Sequence, residues 1–120
     1  MKALSFGEVL FDCYPNKDCI GGAPLNFAVY LTIGGIETYL LSAVGDDVLG
    51  KEAEKQISAF GVKTELLQTV KAKKTGKCLV TLDEKGMPNY NLLNDVAYDF
   101  ISYDKKIVKY GFDILAFGTL

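Results

Sequence analysis

The chain has 120 residues with 15 acidic and 13 basic side chains, so its formal charge is −2, and 49% of its residues are hydrophobic. That composition excludes a disordered chain, and the near-balance of charge removes the basic footprint of a nucleic-acid binder. No apolar run approaches the ~18 residues of a membrane span, and one domain of this size can bury about two-thirds of its surface.

In chain order, residues 2–7 read as a buried strand that residues 8–14 continue, and Pro15-Asn16-Lys17-Asp18 supplies a turn. From Leu25 to Ile33 the only polar side chains are Asn26 and Thr32, which predicts a helix buried on most faces. Pro24 fits its first turn, and Gly34-Gly35 can end it in the left-handed conformation. Thr38–Val44 is a second buried strand, followed by the turn Gly45-Asp46-Asp47. The next helix places Leu49, Ala53, Ile57 and Phe60 on one stripe, and Gly61 stops it. Strand–helix–strand–helix alternation argues for a parallel sheet covered by helices.

The middle of the chain changes character. Lys77–Asp83 sets Cys78, Val80 and Leu82 against Lys77, Thr81 and Asp83, as a half-exposed strand does. Glu84-Lys85-Gly86 turns the chain, and Asn89–Leu93 returns as its partner with Pro88 at the entrance. A short helix near 103–110, capped by Ser102 and ended by Gly111, precedes a further buried-strand pattern at Asp113–Phe117. No helix follows before Leu120, so one face of that strand is expected to lack its cover.

Cys13, Cys19 and Cys78 are odd in number and form no C-x-x-C pair, which reads as the reduced thiols of a cytoplasmic protein. There is no histidine, so Ser-His-Asp and Cys-His catalysis are excluded within these residues. The informative stretch is Gly21-Gly22-Ala23-Pro24-Leu25-Asn26. Two glycines let a ligand approach the backbone ahead of a helix start, and the Asn26 amide offers both a donor and an acceptor. A carboxylate such as Asp12 accepts from two neighbouring hydroxyls, the geometry that polyols and sugars present. Taken alone, the same motif reads more readily as a tight strand-to-helix entry with Asn26 as a local cap. Gly45-Asp46-Asp47 has the paired carboxylates that suit Mg²⁺, but a turn with an N-cap is its ordinary reading. A Rossmann-type site fails on spacing, because no G-x-G-x-x-G follows the first strand.

Several ordered motifs resemble the opening of ribokinase/PfkB-family carbohydrate kinases. They are Gly7-Glu8-Val9-Leu10-Phe11-Asp12, Gly21-Gly22-Ala23-Pro24-Leu25-Asn26-Phe27-Ala28, Val44-Gly45-Asp46-Asp47 with Gly50, Thr75-Gly76, and Phe117-Gly118-Thr119. The wording is most similar to the fructokinase branch; ribokinases usually carry a lysine where Ala23 stands. The resemblance implies a ribokinase-like α/β fold, a partial parallel sheet flanked by helices with a projecting small β lid. Residues 1–120 would be the N-terminal part of one domain, with the core at about 1–8, 24–68 and 100–120 and the lid at about 9–21 and 70–98.

It further implies phosphoryl transfer from ATP, with Mg²⁺, to a hydroxyl of fructose or a similar hexose. Asp12, Gly22 and Asn26 would hold the sugar, with Gly21 and Ala23 beside them, and the lid would form a homodimer interface. Tyr90 and Tyr98 are open between substrate contact and packing, and Lys77 is read as a solvated strand charge. The family's catalytic aspartate and anion-hole glycines belong to a late Asp-x-x-Gly-Ala-Gly-Asp motif that nothing in residues 1–120 matches. No catalytic, ATP-binding or metal-binding residue is therefore assigned, and this segment alone is expected to be inactive. The alternative is a non-catalytic sugar-binding or assembly module derived from such a kinase.

Overall fold

Gly7 divides the first extended stretch between two sheets. In the computed structural model, which describes residues 1–118, β1 (Lys2–Phe6) ends there and β2 (Leu10–Tyr14) begins after Glu8-Val9. The continuous strand expected over 2–14 is thus corrected. Gly7 has φ +147°, and a Cβ on it would stand 2.5 Å from the Pro24 ring, so only glycine lets the chain bend this close to the next helix. The expected turn over 15–18 is also tighter, because β3 (Lys17–Gly21) already runs back antiparallel to β2.

The chain continues through α1 (Ala23–Ile33), β4 (Glu37–Gly45), α2 (Val48–Ala59) and β5 (Leu67–Val70). Then come β6 (Gly76–Leu82), β7 (Pro88–Leu92), a 3₁₀ turn (Ala97–Phe100), α3 (Ile107–Tyr110) and β8 (Ile114–Phe117). One sheet has the order β5-β4-β1-β8 with every pairing parallel, the arrangement the strand–helix alternation predicts. Alternate residues of β4 enter two cores. Leu40 and Val44 pack with Val9, Phe11, Leu25, Ala28, Ala53 and Ile57 beneath α1 and α2. Tyr39 and Leu41 join Leu4 and Leu66 on the opposite face, where the Tyr39 and Tyr110 rings lie 4.6 Å apart and Phe112 stacks on Tyr110. Burial of both faces is why 38–44 reads as an unbroken apolar run.

Three expectations change at the periphery. Helix α1 buries Pro24, Leu25 and Ala28 but leaves Tyr30 and Ile33 each 73% exposed, because only one of its sides lies on β1 and β4. Among the described residues strand β8 pairs with β1 alone and leaves Leu115 and Phe117 exposed, as expected of a strand with one uncovered face. The helix expected from 103 shrinks to α3 with no side-chain cap, although Gly111 does end it with φ +63°. Ser102 is tied elsewhere: its N–H donates to Gln68 Oε1 at 2.9 Å, and Gln68 Nε2 donates to its carbonyl at 2.7 Å. Phe60 caps the end of α2 and is exposed, outside the buried stripe of Ala53 and Ile57.

The second sheet has the order β3-β2-β6-β7, with β6 parallel to β2 and antiparallel to β7. Cys78 and Val80 are buried, Leu82 is exposed, and so is every residue of β7. The Asp83 carboxylate shapes the hairpin turn by accepting from the Lys85 and Met87 amides, both at 2.8 Å.

Candidate functional site

Where β3 hands over to α1, each glycine makes room for a different neighbour. A Cβ on Gly21 would lie 3.3 Å from Asp12 Oδ2, and a Cβ on Gly22, at φ +112°, would come 2.5 Å from the Glu8 carbonyl oxygen. Gly22 is the N-cap of α1, with no side-chain capping bond, and its carbonyl accepts from the Asn26 N–H at 3.0 Å. Asp12 is half-buried, and among the described residues its carboxylate takes part in no hydrogen bond or ion pair, so its oxygens are free acceptors beside a bare backbone turn.

Asn26 sits one helical turn further on. It is exposed and lines a groove with Ile20, Tyr30, Ile33 and Phe60. Ile20 pairs with Phe11, so it projects to the face of the second sheet opposite Asp12. The structure therefore brings Asp12, Gly21 and Gly22 together, and no hydrogen bond joins Asp12 to Asn26. Ala23 lines a different hollow, a cleft of ≈ 400 Å³ shared with Ser5, Pro24, Phe27, Leu115 and Phe117. That cleft lies at the C-terminal ends of β1 and β8, the edge of a parallel sheet at which ligands collect.

Asp47 is a fastening point. Its Oδ1 accepts from the Gly50 amide at 2.8 Å, which caps α2, and from the Thr75 hydroxyl at 2.6 Å. Its Oδ2 accepts from the Thr75 amide at 3.0 Å, while the Thr75 hydroxyl accepts from the Gly45 amide at 2.9 Å. Burial pushes the Asp47 carboxyl up, but the bonds from Thr75 and Gly50 outweigh it and hold the group below its ordinary value. The turn-and-cap reading of this motif stands, and the network extends it by pinning the end of β4 to the residue before β6. Sequence reasoning missed this partnership; the only local signal was a threonine placed directly before the strand's first glycine.

Both Asp47 oxygens are already occupied by donors, and no group of three His, Cys, Asp or Glu side chains among the described residues could hold a metal ion. The cleft at the ends of β1 and β8 presents no cationic side chain to a triphosphate. The Asp47 turn does not fit Mg²⁺ and this cleft does not fit a triphosphate, and no chemical step is routed through either group.

The remaining candidates divide by packing. Tyr98 is buried with Leu10, Cys78 and Val96, and its ring lies where a Cβ on Gly76 would be, 2.3 Å away, so it packs on the face of the second sheet that carries Leu10, Asp12 and Cys78. Tyr90 is exposed on β7. Lys77 is half-buried and forms no ion pair among the described residues. Glu8, 8% exposed in the crossing between the two sheets, is a buried carboxylate to which the sequence reading gave no role; a charge inside an apolar run was the available signal.

A parallel core flanked by helices and carrying a small second sheet is a ribokinase-like fold. The pfkB family carbohydrate kinase pattern matches residues 3–106, and the chain belongs to that family. An uncharacterised sugar kinase of Pyrococcus horikoshii is 34% identical over 116 residues, covering 89% of this chain and 36% of that protein. Its crystal structure superposes with a TM-score of 0.84 over 98% of this chain and 44% of its own. Fructokinase of Escherichia coli is 28% identical over 97 residues, covering 77% of this chain and 32% of the enzyme. Fructoselysine 6-kinase of Escherichia coli is 36% identical over 72 residues, 58% of this chain and 28% of its own. The chain thus spans about a third of the length of the curated relatives it matches.

Proposed function

We propose that this chain is the sugar-binding segment of an ATP-dependent carbohydrate kinase acting on fructose or a similar hexose. The observation that carries the reading is the unpartnered Asp12 carboxylate set against Gly21 and Gly22. An ionised carboxylate accepts from two vicinal hydroxyls at once, and the glycines leave the space a sugar ring needs beside it. Asn26 would close the site from the helix, its amide donating to one oxygen and accepting from another. Relatives named fructokinase and fructoselysine 6-kinase support a ketose-type substrate. Phosphoryl transfer also needs a positioning carboxylate, phosphate-facing N–H groups and Mg²⁺, none of which is assigned to the described residues. ATP and Mg²⁺ therefore belong to the proposal for the whole enzyme, as do a cytoplasmic setting and a homodimer formed through the exposed strand β7.

The test is calorimetry with fructose, ribose and fructoselysine on the protein and its Asp12→Ala variant, alongside a coupled kinase assay of the whole enzyme. Hydrogen bonds to a charged group are worth about 1.5–3 kcal/mol, so the variant should lose about tenfold or more in affinity and in kcat/KM. Unchanged values on every sugar would remove Asp12 from the site.

A further inference from the structure

The second sheet places a thiol on each side of Asp12. In the register of β2 with β3, Asp12 faces Cys19; in the register of β2 with β6, it faces Cys78. Directly paired residues project to the same face of a sheet, with neighbouring strands about 4.8 Å apart. Cys19, Asp12 and Cys78 therefore form one row. The electrostatics agree, because after burial the charges that raise the Tyr14 hydroxyl come from Asp12, Tyr90, Cys19 and Cys78 together. Cys13, next along β2, points the other way and packs against the core beneath α1.

The two flanking thiols are not equivalent. Cys78 is buried against Leu10, Val96 and Tyr98, whereas Cys19 is half-buried on β3, the edge strand of its sheet. A ligand held by Asp12 and lying over the Gly21 gap has Cys19 as its neighbour on that side. We infer that Cys19 is a substrate-facing, specificity-determining residue: it walls the sugar site beside the Asp12 carboxylate. A thiol is a small, soft surface and a weak hydrogen-bond partner. The part of the sugar that meets it is a carbon face, while the hydroxyls turn to Asp12. This inference rests on the sugar reading above, and it adds a residue, a contact and a selectivity to it.

The test is the rate of iodoacetamide alkylation at each cysteine, followed by mass spectrometry of the protein with and without whichever sugar of the panel binds by calorimetry. Bound sugar should slow Cys19 at least fivefold and leave Cys13 unchanged, and alkylated protein should bind the sugar at least tenfold more weakly. Cys19→Ser removes the alkylation site, so sugar binding by this variant should no longer respond to the reagent, whereas Cys19→Phe should lose binding tenfold or more. Sugar binding with no change at Cys19, or with equal slowing of Cys13, overturns the inference and leaves the sugar reading intact. A protein that binds no sugar of the panel overturns both.

Discussion

The two sheets of this molecule are built on opposite principles. In the parallel sheet, β4 is buried from Thr38 to Gly45, and its side chains alternate between two apolar cores. In the second sheet, β7 is exposed along its whole length and is held by backbone pairing to β6 alone. The first sheet draws its stability from area removed from water; in the second, β2 shares that core through Phe11, and β7 at its margin is held by ladder hydrogen bonds. Such a division suits a rigid platform that carries a sheet able to move, since elements with few buried contacts open locally at low cost.

The sharpest way to break that contrast is a pair of truncations. Leu40→Ala removes a fully buried side chain from the centre of β4 and should cost about 2–5 kcal/mol in a denaturant titration. Tyr90→Ala, at an exposed site of β7, should stay within about 0.5 kcal/mol. Similar costs at the two positions would show that β7 is held by side-chain burial as β4 is.

The middle-sized effect lies at the fastening. Thr75→Val keeps the shape of a buried side chain, yet it removes a donor to Asp47 and leaves the Gly45 amide unsatisfied, which should cost about 1–3 kcal/mol. Hydrogen exchange should show β6 amides opening more readily, with β1 amides little changed. The pH dependence follows from Asp47. Its folded pKa lies below the unfolded value, so its stabilising contribution is complete above about pH 4 and is lost as pH falls through the depressed folded pKa. Asp47→Asn should therefore be less stable at neutral pH and show a shallower loss on acidification. A parallel pair of pH curves would exclude this linkage.

How much of this was legible in the sequence depended on burial. The parallel core was readable because strands buried on both faces leave unbroken apolar runs, as at residues 38–44, and because Asp47 and Gly61 punctuate α2. The surface of the core was misread at α1, whose apolar wording hides that only one side packs. β3 was hidden because a turn signal at Pro15-Asn16 ran into a polar strand, Lys17-Asp18. Asp12, Gly21 and Gly22 stood out in the sequence as candidates through their motifs and the family resemblance. The Cys19–Asp12–Cys78 row did not, because register between distant strands is set by the fold and leaves no local pattern. Thr119, part of the last motif quoted from the sequence, lies outside the described residues.

The smallest expected effect is the most diagnostic of the platform-and-sheet comparison. Asp12 lies on β2, the strand of the second sheet that pairs with both β3 and β6, but its carboxylate has no partner among the described residues. A side chain retained to hold the sheet together would be bonded to it; one retained to hold a ligand would be left free. Asp12→Ala should therefore change unfolding free energy by no more than about 0.5 kcal/mol, the range of substitutions that break no contact. It should also leave β6 exchange protection as it is, while Thr75→Val lowers it. Removing a charge that stands close to Tyr14 and Cys78 should let both groups ionise at lower pH, a shift readable by spectrophotometric titration of the tyrosine. If Asp12→Ala instead destabilised the protein by as much as Thr75→Val, the carboxylate would be a structural member of the sheet, and its freedom for a sugar would be lost as an argument.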